Sequence, residues 1–131
     1  MSPMEMATVV EKLQYQKNDK IILTERGTFF GYNRLVNDML AIKRMKFFSH
    51  PVIFDATHSI QTPGFDLIHS LDYKMNALTL AKASVAAGAN GLFIEVHPEP
   101  SASKSDGGTI MPIDWVEDLL VTCKKIWEIV R

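Results

Sequence analysis

The chain has 131 residues, of which 47% are hydrophobic and 22% are charged, a balance typical of one globular domain. Its formal net charge of −1, without a basic stripe, argues against nucleic acid or anionic membrane surfaces as partners. The apolar runs are far shorter than the roughly 20 residues that span a bilayer, and no secretory signal pattern opens the sequence. The single cysteine, Cys123, excludes an internal disulfide. We therefore expect a cytoplasmic protein in which Cys123 serves packing or is a bystander.

The hydrophobic pattern predicts helices that alternate with short strands, beginning with a helix. Ser2, Pro3 and Glu5 form a capping-box pattern that starts this first helix. Residues 20–24 are rich in β-branched and apolar side chains, which is typical of a strand buried on both faces. After an aromatic loop, the spacing of apolar residues predicts a helix over 34–48.

The middle of the chain repeats this alternation. Val52–Asp55 is predicted as the second strand, and a long loop over 57–73 follows it. The alanine-rich segment 76–87 is predicted as a helix, with Asn76 as its N-cap and Gly88 as its stop signal.

The last part of the chain completes an α-β-α-β-α-β-α order. Residues 91–96 form the third predicted strand, and after a polar loop Pro112 starts a helix that reaches almost to Arg131. Right-handed crossovers in this order give an α/β fold with three parallel strands. Three strands are few for such a sheet, and two exposed apolar edge strands are a liability. We therefore predict that further strands come from a partner or from the rest of a larger barrel.

Polar side chains follow each predicted strand, at the end where parallel sheets carry their active sites. Arg26 follows the first strand, Asp55 and His58 lie at and just beyond the end of the second, and Glu95 lies near the end of the third. His58, Glu95 and Asp106 offer the imidazole and carboxylate ligands that suit Zn, Fe or Mn. The alternative is that His58 caps a strand and that both carboxylates are solvated loop charges.

Arg26 and His97 each have more than one interpretation. Arg26 beside Gly27 favours a phosphate or carboxylate clamp, because a guanidinium makes paired hydrogen bonds and glycine lets the backbone come close. The alternative for Arg26 is a structural ion pair with Glu25. His97 suits a base, a ligand or a hydrogen bond within its loop, and the structural role is favoured.

Three sequence blocks resemble the 3-deoxy-8-phosphooctulonate synthase family. They are residues 25–33 (ERGTFFGYN), 51–59 (PVIFDATHS) and 91–100 (GLFIEVHPEP), the last followed by SDG at 105–107. The blocks are long, ordered and correctly spaced, and they cover the whole chain but about half of the family's length. The 3-deoxyheptulosonate 7-phosphate synthases share fewer of these features and come second.

The resemblance implies the C-terminal part of a TIM (β/α)8 barrel, with residues 1–131 corresponding to strands 6 to 8. The family condenses phosphoenolpyruvate with arabinose 5-phosphate and releases phosphate, in lipopolysaccharide sugar biosynthesis. By this resemblance Arg26 binds the phosphate of phosphoenolpyruvate, and His58, Glu95 and Asp106 bind the divalent metal (Zn, Fe or Mn) of metal-dependent members. His58 and Asp55 are then the predicted catalytic residues.

Two departures from the family pattern weigh on this expectation. Arg34 stands where the family usually has asparagine, and residues 64–72 replace a glycine-rich loop that closes over the sugar phosphate. We expect the chain alone to be inactive, and we expect a homo-oligomer or a complementary half-barrel as its partner. The alternative is a truncated or split half-barrel that acts only as an association module.

Overall fold

The computed structural model describes residues 1–29, 31, 34–62, 71–104 and 108–131. Helices and short strands alternate along these ranges. In chain order they are α1 (Met6–Tyr15), β1 (Leu23–Glu25), β2 (Thr28–Phe29), β3 (Leu35–Val36), α2 (Met39–Lys46), β4 (Val52–Asp55), α3 (Leu71–Ala86), β5 (Gly91–Phe93), β6 (Val96–His97), β7 (Met111–Pro112) and α4 (Val116–Val130). Within the described ranges no helix combines the length and the apolar character needed to cross a bilayer.

Strands β1, β4 and β5 form one parallel sheet in the order β1-β4-β5. Leu23 lies beside Val52 and Ile53 beside Gly91, so the three strands start and end at nearly the same level. The predicted α/β fold with three parallel strands is therefore confirmed. Because β4 is central, β1 and β5 are the edge strands of this sheet.

One face of the sheet is covered by helices. Leu23, Val52 and Phe54 point to this face and are buried there with Ile42 of α2 and Ala81 of α3. Helix α4 packs in turn against α3. This face forms the hydrophobic core, which stabilises the fold mainly through the apolar area it removes from water.

The opposite face of the sheet is largely open in the described part of the chain. Alternation along the strands puts Ile22, Ile53 and Phe93 on this face. Ile22 remains 62% exposed and Phe93 41% exposed. Parallel sheets normally have both faces covered, whereas the described residues leave this face without a covering layer.

The prediction of a helix over 34–48 is wrong at its start. Leu35–Val36 instead pairs antiparallel with Thr28–Phe29. The helix begins at Met39, because the Asp38 side chain accepts the backbone N–H of Leu40 at 2.9 Å and so caps it.

Other boundaries also differ from the sequence predictions. Helix α3 begins at Leu71, so Asn76 lies inside it and is not an N-cap, whereas Gly88 follows its end with a φ of +96° as expected. The first strand is shifted to Leu23–Glu25, and the third stops at Phe93, after which β6 pairs with β7. At the start of the chain, the Ser2 hydroxyl accepts the backbone N–H of Glu5 at 3.4 Å, and the Glu5 carboxylate accepts the backbone N–H of Ser2. The bond to the Ser2 N–H lowers the pKa of Glu5. Helix α1 then begins at Met6.

Candidate functional site

The carboxyl ends of the three parallel strands meet at one edge of the sheet. The register places Glu25 beside Phe54 and Asp55 beside Phe93. Arg26, His58 and Glu95, which follow these strand ends, therefore lie around the same point. The juxtaposition predicted from the strand order is present for Arg26, His58 and Glu95, whereas Asp106 lies outside the described residues.

Asp55 lies at the centre of this cluster and is buried. Its Oδ2 is 2.7 Å from Nδ1 of His58 and 3.8 Å from Nε of Arg26. Its Oδ1 accepts the backbone N–H of His58 at 3.0 Å and the hydroxyl of Thr57 at 3.4 Å. The carboxylate thus holds the imidazole and faces the guanidinium at the same time.

The His58 ring bridges two carboxylates. Nδ1 faces Asp55, whereas Nε2 is 3.5 Å from Oε1 of Glu95. The ring also lies against Phe93, with centroids 5.8 Å apart and planes inclined at 31°. A carboxylate at 2.7 Å favours the tautomer that carries its proton on Nδ1, so neutral His58 presents its Nε2 lone pair toward Glu95. A cation between Nε2 and the Glu95 carboxylate suits this arrangement.

Arg26 is positioned by a turn that requires glycine. Gly27 has a φ of +94°, and a Cβ there would lie 3.1 Å from Nδ2 of Asn37. The Arg26 guanidinium donates from Nη2 to Oε1 of Gln61 at 3.2 Å, and its side chain is 49% exposed. Glu25 instead accepts the backbone N–H of Gly27 at 2.8 Å. The ion pair that the structure gives Arg26 is with Asp55, which argues against the alternative Arg26–Glu25 pair.

A sequence model of the DAHP synthetase I family matches residues 1–131. The chain belongs to this family. A 2-dehydro-3-deoxyphosphooctonate aldolase from Thioalkalivibrio sulfidiphilus is 43% identical to it over 131 residues, which are 100% of this chain and 47% of the relative. Proteins of the same name from Protochlamydia amoebophila and Shewanella denitrificans are 44% identical over the full chain, which covers 48% and 46% of their lengths. The chain therefore spans about half the length of the curated relatives it matches.

The relatives' name is an alternative name for 3-deoxy-8-phosphooctulonate synthase. The resemblance predicted from the three sequence blocks is therefore confirmed at the level of the family. This difference in length agrees with a sheet that has, among the described residues, one open face and two edge strands.

Two of the three predicted metal ligands in this DAHP synthetase I family member are suitably placed. Ligand atoms bound about 2.0–2.2 Å from one tetrahedral ion lie about 3.3–3.6 Å apart. The Nε2 of His58 and Oε1 of Glu95 are 3.5 Å apart, which fits two neighbouring ligands of one ion. Asp55 on Nδ1 supplies the carboxylate that commonly orients a metal-binding histidine. Asp106 lies outside the described residues, and within the described ranges no group of three or more His, Cys, Asp or Glu side chains is placed so that it could hold a metal ion.

The remaining singled-out residues lie apart from this cluster or outside the described ranges. Nδ1 of His97 accepts the backbone N–H of Glu99 at 2.9 Å, which is the favoured loop hydrogen bond. Cys123 is buried in the core, where burial raises the pKa of its thiol. Arg34 is exposed, and residues 64–70 of the altered loop lie outside the described residues.

Sequence reasoning missed the polar residues that support the cluster. Gln61 bonds Arg26, and Asn37 donates to the hydroxyl of Ser59 at 3.0 Å and to Oε1 of Glu25 at 3.3 Å. Ser59 lies inside the tight 3₁₀ turn His58–Ile60, which begins shortly after β4 ends, and Gln61 directly follows that turn. A run of small polar residues straight after a buried strand was the available signal.

Proposed function

We propose that this chain is the C-terminal part of a 3-deoxy-8-phosphooctulonate synthase, a barrel enzyme that condenses phosphoenolpyruvate with arabinose 5-phosphate and releases phosphate. The observation that carries the proposal is the cluster of Arg26, Asp55, His58 and Glu95 at one edge of a parallel sheet, in a chain of this family. A role in lipopolysaccharide sugar biosynthesis and a cytoplasmic location follow from the same resemblance.

In this proposal the whole chain is one partial domain, with β1, β4 and β5 as strands 6, 7 and 8 of a (β/α)8 barrel. The open face then becomes the barrel interior, β1 pairs with the fifth strand of the barrel, and β5 pairs with its first strand. An apolar groove of about 580 Å³ beside the β5 edge, lined by Leu92, Ile94, Leu120 and Trp127, supports a continuation there. The same continuation would supply the substrate-binding groups that 131 residues lack.

Arg26 is assigned to the phosphate of phosphoenolpyruvate. Asp55 and Gln61 orient its guanidinium at the sheet edge, while half of the side chain stays accessible. A guanidinium held in this way neutralises phosphate charge and fixes the position of the substrate. Both effects help a reaction in which carbon C3 of phosphoenolpyruvate bonds to the sugar aldehyde, water adds at C2 and phosphate leaves.

His58 and Glu95 are assigned to a divalent ion, with Asp106 as the third ligand from this chain. Such an ion, when bound, would act as a Lewis acid or would orient the reactants. Asp55 keeps the proton on Nδ1 of His58 and so directs Nε2 into the site. His58 and Asp55 thus form the proposed catalytic pair, in which His58 faces the ligand and Asp55 orients it.

The test is reconstitution of activity. The chain would be combined with the half of the Protochlamydia amoebophila relative that it does not match, and phosphate release from phosphoenolpyruvate and arabinose 5-phosphate would be followed with added Zn²⁺ or Mn²⁺. We expect turnover from the mixture and none from the chain alone. Rapid turnover by the chain alone would contradict its incompleteness.

Two arginine variants of the reconstituted protein separate the role of Arg26 from loss of a surface charge. Arg26→Ala should lower the rate by about 10²-fold or more, because it removes a positioned electrostatic group. Arg44→Ala is the matched control, since Arg44 is 51% exposed and its ion pair is with Asp38, the N-cap of α2, and not with a residue of the cluster. Equal rates for the two variants would overturn the assignment of Arg26.

A second candidate function is a non-catalytic association module. The open face and the two edge strands favour it, because an incomplete parallel sheet drives pairing whether or not chemistry follows. A mixture that assembles but releases no phosphate would favour this alternative over the enzyme.

A further inference from the structure

Thr57 is a wholly buried polar residue that connects the ends of two strands. Its hydroxyl donates to Oδ1 of Asp55 at 3.4 Å. The same oxygen accepts the backbone N–H of Glu95 at 3.2 Å. One hydroxyl therefore touches both neighbours of the His58 imidazole: the carboxylate on its Nδ1 side and the residue on its Nε2 side.

The position of Thr57 follows from how the sheet ends. The ladder between β4 and β5 continues to the N–H of Ala56, which donates to the carbonyl of Phe93 at 3.0 Å. Beyond this bond the chain turns into the 3₁₀ turn at His58, so the backbone of β4 no longer runs beside β5. The Thr57 hydroxyl accepts the next N–H of the neighbouring strand, that of Glu95, in place of a ladder carbonyl.

Hydrogen bonds therefore hold the backbone of Glu95 at both its N–H and its carbonyl. Its N–H is bonded to Thr57, and its carbonyl accepts the N–H of Met111 at 3.0 Å. The side chain between these two bonds places Oε1 3.5 Å from Nε2 of His58. Since Glu95 lies beyond the end of β5, this local bonding fixes the separation that a shared ligand requires.

We propose that Thr57 is a positioning residue, whose hydroxyl holds Glu95 opposite His58 and steadies Asp55 behind it. The consequence for metal binding rests on the proposed function, because it treats His58 and Glu95 as ligands of one ion. The positional role itself does not depend on a metal and is measurable in the chain alone.

Amide hydrogen exchange in the 131-residue chain tests the positional role. In the wild type the Glu95 amide should be protected to a degree comparable with the Ala56 amide. Thr57→Val, which keeps the shape but removes the hydroxyl, should speed exchange at Glu95 by about tenfold and leave Ala56 unchanged. Thr57→Ser should restore protection, and Thr57→Ala provides a second hydroxyl-free variant if valine prevents folding. An unprotected Glu95 amide in the wild type, or protection unchanged in the hydroxyl-free variant, would overturn the proposal.

Zn²⁺ affinity by calorimetry tests the consequence for the site. Loss of a group that orients ligands typically lowers metal affinity by about 10–100-fold, so we expect such a loss in Thr57→Val and little change in Thr57→Ser. Ser84→Ala is the control, because it removes another wholly buried hydroxyl, bonded at 2.8 Å to the Ala81 carbonyl inside α3. It should lower stability without changing Zn²⁺ affinity.

The outcomes separate the two proposals. If the wild type binds no Zn²⁺, or if His58→Ala binds Zn²⁺ with unchanged affinity, the metal site of the proposed function is contradicted. Hydrogen exchange at Glu95 still decides the role of Thr57 in that case. Affinity that depends on His58 but is the same in Thr57→Val and the wild type refutes the positioning of a metal ligand by Thr57.

Discussion

The two faces of the three-stranded sheet are both apolar, but one is buried and the other is exposed. On the helix-covered face Val52 and Phe54 are wholly buried, whereas on the open face Ile22 is 62% and Phe93 41% exposed. The covered face stabilises the fold by itself, because its partners α2 and α3 belong to the same chain. The open face carries Asp55 and adjoins the candidate site, and its own covering layer is absent from the described residues. Stability and function therefore depend on opposite faces.

The largest expected difference between the faces is in stability. Phe54→Ala should lower the free energy of unfolding by about 3–5 kcal/mol, because it leaves a cavity under the helices. Ile22→Ala on the open face should change it by less than about 0.5 kcal/mol. Urea unfolding followed by circular dichroism measures both variants. Similar losses from the two changes would show that the open face is also packed in solution.

The next largest effect concerns association through the open face. Ile22→Lys should weaken self-association by about tenfold or more, because burial of an isoleucine contributes roughly 1.5–3 kcal/mol. Leu40→Lys is the matched control, since Leu40 is 60% exposed on α2, away from the sheet. Sedimentation velocity over a range of concentrations gives the comparison. A wild type that stays monomeric at every concentration would contradict association through this sheet.

Two glycine substitutions sharpen the comparison at a smaller scale. Gly27→Ala should cost about 1–2 kcal/mol, because Gly27 has a φ of +94° and its added Cβ would meet Leu35 at 3.2 Å. Gly91→Ala should change stability little, since its Cβ would lie 3.3 Å from Cγ2 of Ile53, which can shift toward the open face. Thermal unfolding of both variants checks this, and an equal loss would mean that Ile53 is as confined as the Gly27 turn.

The sequence predicted the sheet and much of the cluster because both depend on local order. Val52–Asp55 was predicted with the correct bounds, and a parallel arrangement brings Arg26, Asp55, His58 and Glu95 together whatever the loop details. The helix start at residue 34 was wrong because Leu35–Val36 pairs with a strand seven residues earlier. Apolar periodicity does not reveal such tertiary pairing. Gln61 and Thr57 act through contacts that depend on the turn after β4, and no spacing rule predicts that turn.

The smallest predicted effect concerns the buried ammonium group of Lys74. Lys74 of α3 is buried and donates from Nζ to the Ile110 carbonyl at 2.9 Å, and burial lowers its pKa below the ordinary value of 10.5. Between the lowered pKa and 10.5 the unfolded chain holds more protons than the folded one, so stability should rise with pH in that window. Relative to Lys74→Met, the wild type should therefore gain stability as pH increases from neutral toward 10.

Lys46→Met is the control for loss of a lysine-to-carbonyl bond at an exposed position, where Nζ donates to the Gly88 carbonyl at 2.9 Å. Urea unfolding at pH 7, 8.5 and 9.5 gives the change of stability with pH. A wild type that loses stability relative to Lys74→Met over this range would show that the folded state favours the charged form of Lys74.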